Sequence, residues 1–186
     1  MNGFEKIISA IDPNSSVLDV GAGGLEGANT TDYLIKRFSV ENVKGICILP
    51  EKVEAYKERF PEMDLRVGDF YKTDSFKENS LDLLVLDLNI ENNVIRDWSL
   101  EGLERCRGFL KKGGILINYV ITTDQYGDVN ETPALIRKRW KEFWKTEVLT
   151  YEDIGKKLSN IPGYELFIHE VEEVRPYIMW VALKKL

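Results

Sequence analysis

Two periodicities divide this chain. Runs of consecutive apolar residues bounded by polar or glycine-rich turns mark buried strands, and segments whose apolar residues recur every three or four positions mark helices. The runs predict strands at Ser16–Val20, Val43–Ile48, Asp64–Val67, Leu81–Leu88, Gly114–Val120, Tyr164–Val171 and Tyr177–Leu183. Helical stretches separate the early strands. One begins near Thr30 in TTDYLIKRF, and one begins at Pro50, where proline suits the first helical turn. A third runs through SLEGLERCRGFLKK, with Leu100, Leu103, Cys106 or Arg107, and Leu110 along one face and Gly113-Gly114 as its expected stop. Residues 1–15 supply a short N-terminal helix, and the link Gly68–Ser80 is too short and polar to hold one.

Alternation of this kind predicts an α/β fold: a doubly wound, Rossmann-like sheet of seven strands with helices on both faces. The last two strands are separated only by Glu172–Pro176, too few residues for a crossover helix, so they pair antiparallel. The expected sheet is therefore mostly parallel, with the last strand inserted antiparallel. No Pro/Gly/Ser linker or internal repeat interrupts the pattern, which predicts a single domain over residues 1–186. Residues 122–147 form an insertion on the substrate side. A polar loop, TTDQYGDVNE, is followed by a helix capped at Thr132-Pro133. Ile136, Trp140, Phe143, Trp144 and Glu147 follow helical spacing, opposite a solvated basic face of Arg137, Lys138, Lys141 and Lys145.

Composition narrows the class of partner. The 186 residues are 44% hydrophobic and 30% charged, as in an ordinary globular protein. A net charge of −6 argues against general nucleic-acid binding. No apolar run approaches the ~20 residues that cross a bilayer, so no membrane partner is expected. Two cysteines, Cys47 and Cys106, make no disulfide framework, and the N-terminus has no secretion signal, so the expected location is cytoplasmic. Two distant cysteines and a lone histidine make no zinc spacing and no acidic run resembles a calcium loop, so no metal is expected. His169, inside the sixth strand, reads as a structural hydrogen-bonding residue.

In an open sheet of this type ligands sit beyond the C-terminal ends of the strands. Those ends carry the chemistry here. VLDVGAGG holds an acidic residue followed by glycines, and GICILPEKVEAYKERFP pairs a second strand with a "P-E" helix start. LRVGDFYKTDSFKENSLDLLVLDLN holds Gly68-Asp69 and Asn79-Ser80-Leu81-Asp82, and LEGLERCRGFLKKGGILIN joins a helix, a Gly-Gly turn and a fifth strand. Taken in order, from Val17 to Leu186, these stretches resemble the class I S-adenosylmethionine-dependent methyltransferases.

The resemblance implies a cofactor, S-adenosyl-L-methionine, with S-adenosyl-L-homocysteine as product, and a role for each strand end. Gly21, Ala22 and Gly23 would let backbone approach the amino-acid part of the cofactor, while Asp19 supports that loop and meets the ammonium. Asp69 would accept from the adenine amine and the Phe70 N–H would donate to a ring nitrogen, with Phe70 and Ile48 packed on the adenine faces. Asp87 would lie where methyl sulfonium and acceptor meet, as the catalytic candidate. Further candidate bases are Glu91, Asp124, Tyr119 and Tyr126.

Two departures qualify the match. Leu25 stands where a third glycine is usual, with Gly27 two residues later. Cys47 stands at the end of the second strand, where an acid normally grips both ribose hydroxyls, and a thiol cannot make that bidentate contact. Glu51 or Glu26 could substitute, although Glu51 is also a natural helix-start carboxylate. The loss either weakens cofactor affinity or marks a site that no longer turns over.

The expected function is therefore methyl transfer by in-line displacement to a small-molecule acceptor, or to a protein side chain. The alternatives are a catalytically degenerate methyltransferase-like scaffold and, less favoured, an aminopropyltransferase. The latter lacks its N-terminal β-domain and acid-rich glycine motif here. The terminal strand pair disfavours a nicotinamide dehydrogenase, and LDLNIENN lacks the Asn/Asp-Pro-Pro-aromatic segment of DNA adenine methylation. The short start leaves an open site that a partner subunit, in a homodimer, could complete.

Overall fold

The apolar runs become strands close to the bounds their pattern predicts. A computed structural model describes residues 3–22, 30–86, 100–121, 158–171 and 178–186, with isolated positions between 134 and 156. The strands are β1 (Val17–Val20), β2 (Val43–Cys47), β3 (Asp64–Val67), β4 (Leu81–Leu86), β5 (Leu110–Ile121), β6 (Tyr164–Val171) and β7 (Ile178–Lys185). The helices are α1 (Gly3–Ser9), α2 (Thr30–Phe38), α3 (Pro50–Arg59) and α4 (Leu100–Phe109), with a short 3₁₀ turn at Val40–Asn42. No helix lies within 68–80, as the polarity of that link predicts. Ala134, Arg137, Lys138 and Lys141 are helical, within the insertion.

The seven strands form one sheet in the order β3-β2-β1-β4-β5-β7-β6. β1 to β6 run parallel, and β7 runs antiparallel between β5 and β6. The chain winds outward from β1 through β2 to β3, then returns to the centre at β4 and winds the other way. Right-handed crossovers in opposite directions place α2 and α3 on one face and α4 on the other. Every residue of β1 is buried, as is all of β4 apart from the half-buried Asp82, which explains their unbroken apolar sequence.

Side chains fasten the helix ends. Arg37, in the last turn of α2, donates to Ile8 O, Ser9 O and Ile11 O, at and just beyond the C-terminal end of α1. Tyr56 and Arg59 of α3 both donate to Asp32 Oδ1 of α2, at 2.6 and 3.1 Å.

The third helix differs from the expectation at its end. It stops at Phe109 rather than at Gly113-Gly114, and Leu110 already pairs with Leu81. The Asn79 and Ser80 amides donate to Gly108 O and Phe109 O, and Lys185 Nζ donates to Arg107 O and Leu110 O. These donors, remote in sequence, satisfy the end of the helix early. The two glycines instead occupy a bulge within the β4–β5 pairing, between Leu81 and Leu83. Gly113 has φ +77°, and a Cβ on Gly114 would lie 2.9 Å from Lys111 O and 3.0 Å from Leu81 O.

Candidate functional site

The direction of winding reverses between β1 and β4, and in open sheets of this kind ligands bind beyond the C-terminal ends of the strands beside that point. The site begins with the turn that leaves β1. Gly21 takes φ +95°, a conformation that side chains disfavour, and its N–H donates to Ile46 O at 2.8 Å. The chain thereby turns sharply while remaining tied to β2. Ala22 follows, buried against that strand. Gly23 lies outside the described residues, as do Leu25, Glu26 and Gly27.

Asp19 is 0% exposed within β1. Thr31 Oγ1, in the first turn of α2, donates to Asp19 Oδ2 at 2.6 Å. A carboxylate beneath the amides of a helix start is favoured by the helix dipole as well as by the hydroxyl. Asp19 thus ties the end of β1 to the start of α2.

A residue that the sequence reading passed over controls how closely this turn packs. Gly45 lies in β2 opposite Asp19, and a Cβ there would come within 2.7 Å of Ala22 Cβ and 2.5 Å of Leu65 Cδ1. The signal was available, since glycine inside an apolar strand marks a close approach.

The end of β2 presents a different surface. Cys47 is 5% exposed, and its carbonyl accepts from Gly68 N–H at 2.9 Å, which carries the β2–β3 pairing one residue past β3. Beyond it Ile48 is 65% exposed, while Val67, paired with Cys47 in the sheet, is 53% exposed. Two large apolar side chains are therefore bare at adjacent strand ends. Glu51 is exposed in the first turn of α3, the position of a helix-start carboxylate.

The loop after β3 is organised by Asp69. Its Oδ1 accepts from Tyr71 N–H at 2.9 Å, its carbonyl accepts from the Lys72 and Thr73 amides, and Oδ2 lies 3.3 Å from Lys72 Nζ. This is the local turn that aspartate favours.

Phe70 departs from the expectation. Its ring is 3% exposed, with the Phe109 ring 5.7 Å away and the Arg105 guanidinium 5.5 Å above it. The ring fills the core beneath α4 and offers no face to a ligand, because α4 descends onto the loop at this point. Tyr119 is likewise taken into the core, its ring 5.3 Å from that of Trp180, which favours packing over proton transfer. His169 is exposed on the edge strand β6. Asp87, Glu91, Asp124 and Tyr126 lie outside the described residues. No group of three or more potential metal ligands occurs among the described residues.

The structure thus gathers Asp19, Gly21, Ala22, Cys47, Ile48 and Asp69 at neighbouring strand ends β1, β2 and β3, with the Phe70 backbone beside them. Known proteins share this frame. The chain is similar to a SAM-dependent methyltransferase from Methanosarcina mazei, at TM-score 0.65 and 14% identity, with 97% of each chain covered. It is also similar to the 1,6-didemethyltoxoflavin-N1-methyltransferase of Burkholderia thailandensis, whose structure holds 1,6-didemethyltoxoflavin and S-adenosylhomocysteine. That match has TM-score 0.63 and 14% identity and covers 98% of this chain and 78% of the other. The trans-methyltransferase CalH, in complex with SAH, matches 98% of this chain at TM-score 0.61 and 17% identity, and the chain spans 54% of CalH's length. The family model described as a methyltransferase domain matches residues 18–118, more than half of the sequence. The chain belongs to the class I S-adenosylmethionine-dependent methyltransferase family.

Proposed function

We propose that this chain binds S-adenosylmethionine across the ends of β1, β2 and β3 and transfers its methyl group to a small-molecule acceptor. The observation that carries the reading is the pairing of a left-handed Gly21 turn, held over buried Asp19, with bare Ile48 one strand end away and bare Val67 two away. The first suits a polar, charged ligand end approached by backbone, and the second suits a flat apolar one. S-adenosylmethionine has both, and when bound it supplies an electrophilic methyl on a sulfonium.

In this reading the Gly21–Gly23 backbone and Asp19 hold the methionine end. Ile48 packs on one adenine face, Asp69 accepts from the exocyclic amine and the Phe70 N–H donates to the ring. Cys47 borders the ribose. Asp87 follows β4 and is the candidate for positioning the acceptor. Methyl transfer chiefly requires alignment of acceptor, carbon and sulfur, so the chain's contribution is orientation and exclusion of water. A base is needed only for an acceptor with a proton of high pKa. Neighbours of the fold hold small molecules, 1,6-didemethyltoxoflavin in one and geranyl diphosphate in another, which favours that acceptor class over a protein side chain.

Calorimetric titration with S-adenosylmethionine and S-adenosylhomocysteine tests the binding half. Saturable binding is expected, and none at millimolar ligand would overturn the proposal. Labelled cofactor offered with fractionated metabolite pools tests transfer.

Cys47 favours a second reading, a methyltransferase-like scaffold without turnover. A buried thiol stands where a ribose-binding acid is usual. Binding without label transfer to any pool would select that reading.

A further inference from the structure

The loop after β3 is fastened from outside itself, by one side chain of α4. Arg105 Nε donates to Phe70 O at 2.8 Å, and Arg105 Nη2 donates to Thr73 O. Its guanidinium also lies 5.5 Å from the Phe70 ring centroid and 5.2 Å from that of Phe109. The loop's own hydrogen bonds run from Asp69 forward to Tyr71, Lys72 and Thr73. Arg105 takes hold of carbonyls at Phe70 and Thr73, immediately after Asp69 and at the far end of the same turn. A planar fork can serve two separated acceptors while stacking on rings, and a lysine ammonium cannot do all three.

We propose that Arg105 is a positioning residue for the nucleoside end of the cofactor. It holds the Asp69 carboxylate and the Phe70 N–H in the arrangement that reads the amino edge of adenine. This role rests on the cofactor reading above. It works through the loop backbone and requires no contact between Arg105 and ligand. A turn held before binding loses less freedom on binding, so its fastener contributes to affinity and to discrimination between bases.

The test compares wild type, Arg105→Met, which keeps a stem against the rings, and Arg105→Lys, which keeps the charge. Amide hydrogen exchange is followed without ligand. Calorimetry then uses S-adenosylhomocysteine and S-inosylhomocysteine, in which oxygen replaces the adenine amine. In Arg105→Met, exchange at Tyr71, Lys72 and Thr73 is expected to accelerate about tenfold while β1 and β4 amides stay protected. Affinity for S-adenosylhomocysteine should fall about tenfold, and the wild-type preference over the inosyl analogue should shrink with it. Arg105→Lys should fall between, and it carries the comparison if Arg105→Met does not fold. Unchanged loop exchange, or equal weakening for both analogues with the preference intact, overturns the role. A wild type that fails to bind S-adenosylhomocysteine at millimolar concentration overturns the cofactor reading and this role with it. Wild-type binding with an unmoved variant overturns the role alone.

Discussion

The turn after β1 and the strand ends of β2 and β3 lie side by side at the same end of the sheet but are built on opposite principles. The first is closed and tied down. Asp19 is wholly buried, Thr31 donates to it, Gly21 bonds to β2, and Ala22 sits against Gly45. The second is bare where the first is covered, with Ile48 and Val67 exposed beside the buried thiol that ends β2. Its loop is held by Arg105 from another helix. A charged ligand end demands backbone groups fixed in advance, whereas an apolar face tolerates a looser surface. The proposed polar contact with the cofactor falls in the rigid region, and the thiol in place of the family's usual acid falls in the other.

Removing the support of the rigid region should have the largest effect. Asp19→Ala is expected to cost about 3 kcal/mol of stability, because it leaves the buried Thr31 hydroxyl without this acceptor and opens a void. It should also abolish measurable S-adenosylhomocysteine binding. Thermal denaturation and calorimetry check the pair, and an unchanged affinity would break the comparison at its firmer side.

Gly45→Ala tests whether the two regions are separable. The Leu65 methyl can rotate away from a new Cβ, but Ala22 has no rotamer to change, so the β1 turn itself must shift. A loss of about 2 kcal/mol is expected, with weaker binding although Gly45 makes no proposed ligand contact.

Cys47→Asp sharpens the comparison from the looser side. A carboxylate at this position should tighten S-adenosylhomocysteine about tenfold if the ribose lies there, while its burial lowers the melting temperature. Unchanged affinity would show that the ribose is held elsewhere. Ile48→Ala should weaken binding about threefold to fivefold, with stability altered by less than about 0.5 kcal/mol because the side chain is mostly exposed already.

The smallest effect concerns pH. The Arg66 guanidinium donates to both Asp64 carboxylate oxygens, at 2.9 and 2.8 Å, and holds that carboxyl below its ordinary value. A depressed folded-state value contributes stability above the unfolded value, and that contribution is lost as pH falls through the folded one. The pair is part-exposed, so Asp64→Asn should remove no more than about 0.5 kcal/mol near neutrality and flatten the acid limb of the stability curve.

Much of the frame was legible because it is local. Buried strands read as apolar runs, Pro50 marked a helix start, and five residues between the last two strands forced an antiparallel pair. The positive φ of Gly21 was legible because a sharp turn out of a strand favours glycine. The failures share a cause in contacts remote along the chain. A bulge glycine resembles a helix-stop glycine until Asn79, Ser80 and Lys185 are seen at the end of α4. Phe70 looks like a strand-end aromatic until Phe109 and Arg105 cover it. Arg105 reads as one more charge on a helix.

The place of β7 has a consequence for assembly. Among the described strands β6 has β7 as its sole neighbour, although β6 precedes it in the chain. When the chain emerges from a ribosome, β5 therefore presents an open edge and β6 has no partner until β7 has been made. The sheet closes in one late step that joins distant segments, and such non-local pairing is slow. A chain cut before Ile178 would carry two unsatisfied strands, an invitation to pair with other chains instead of with itself.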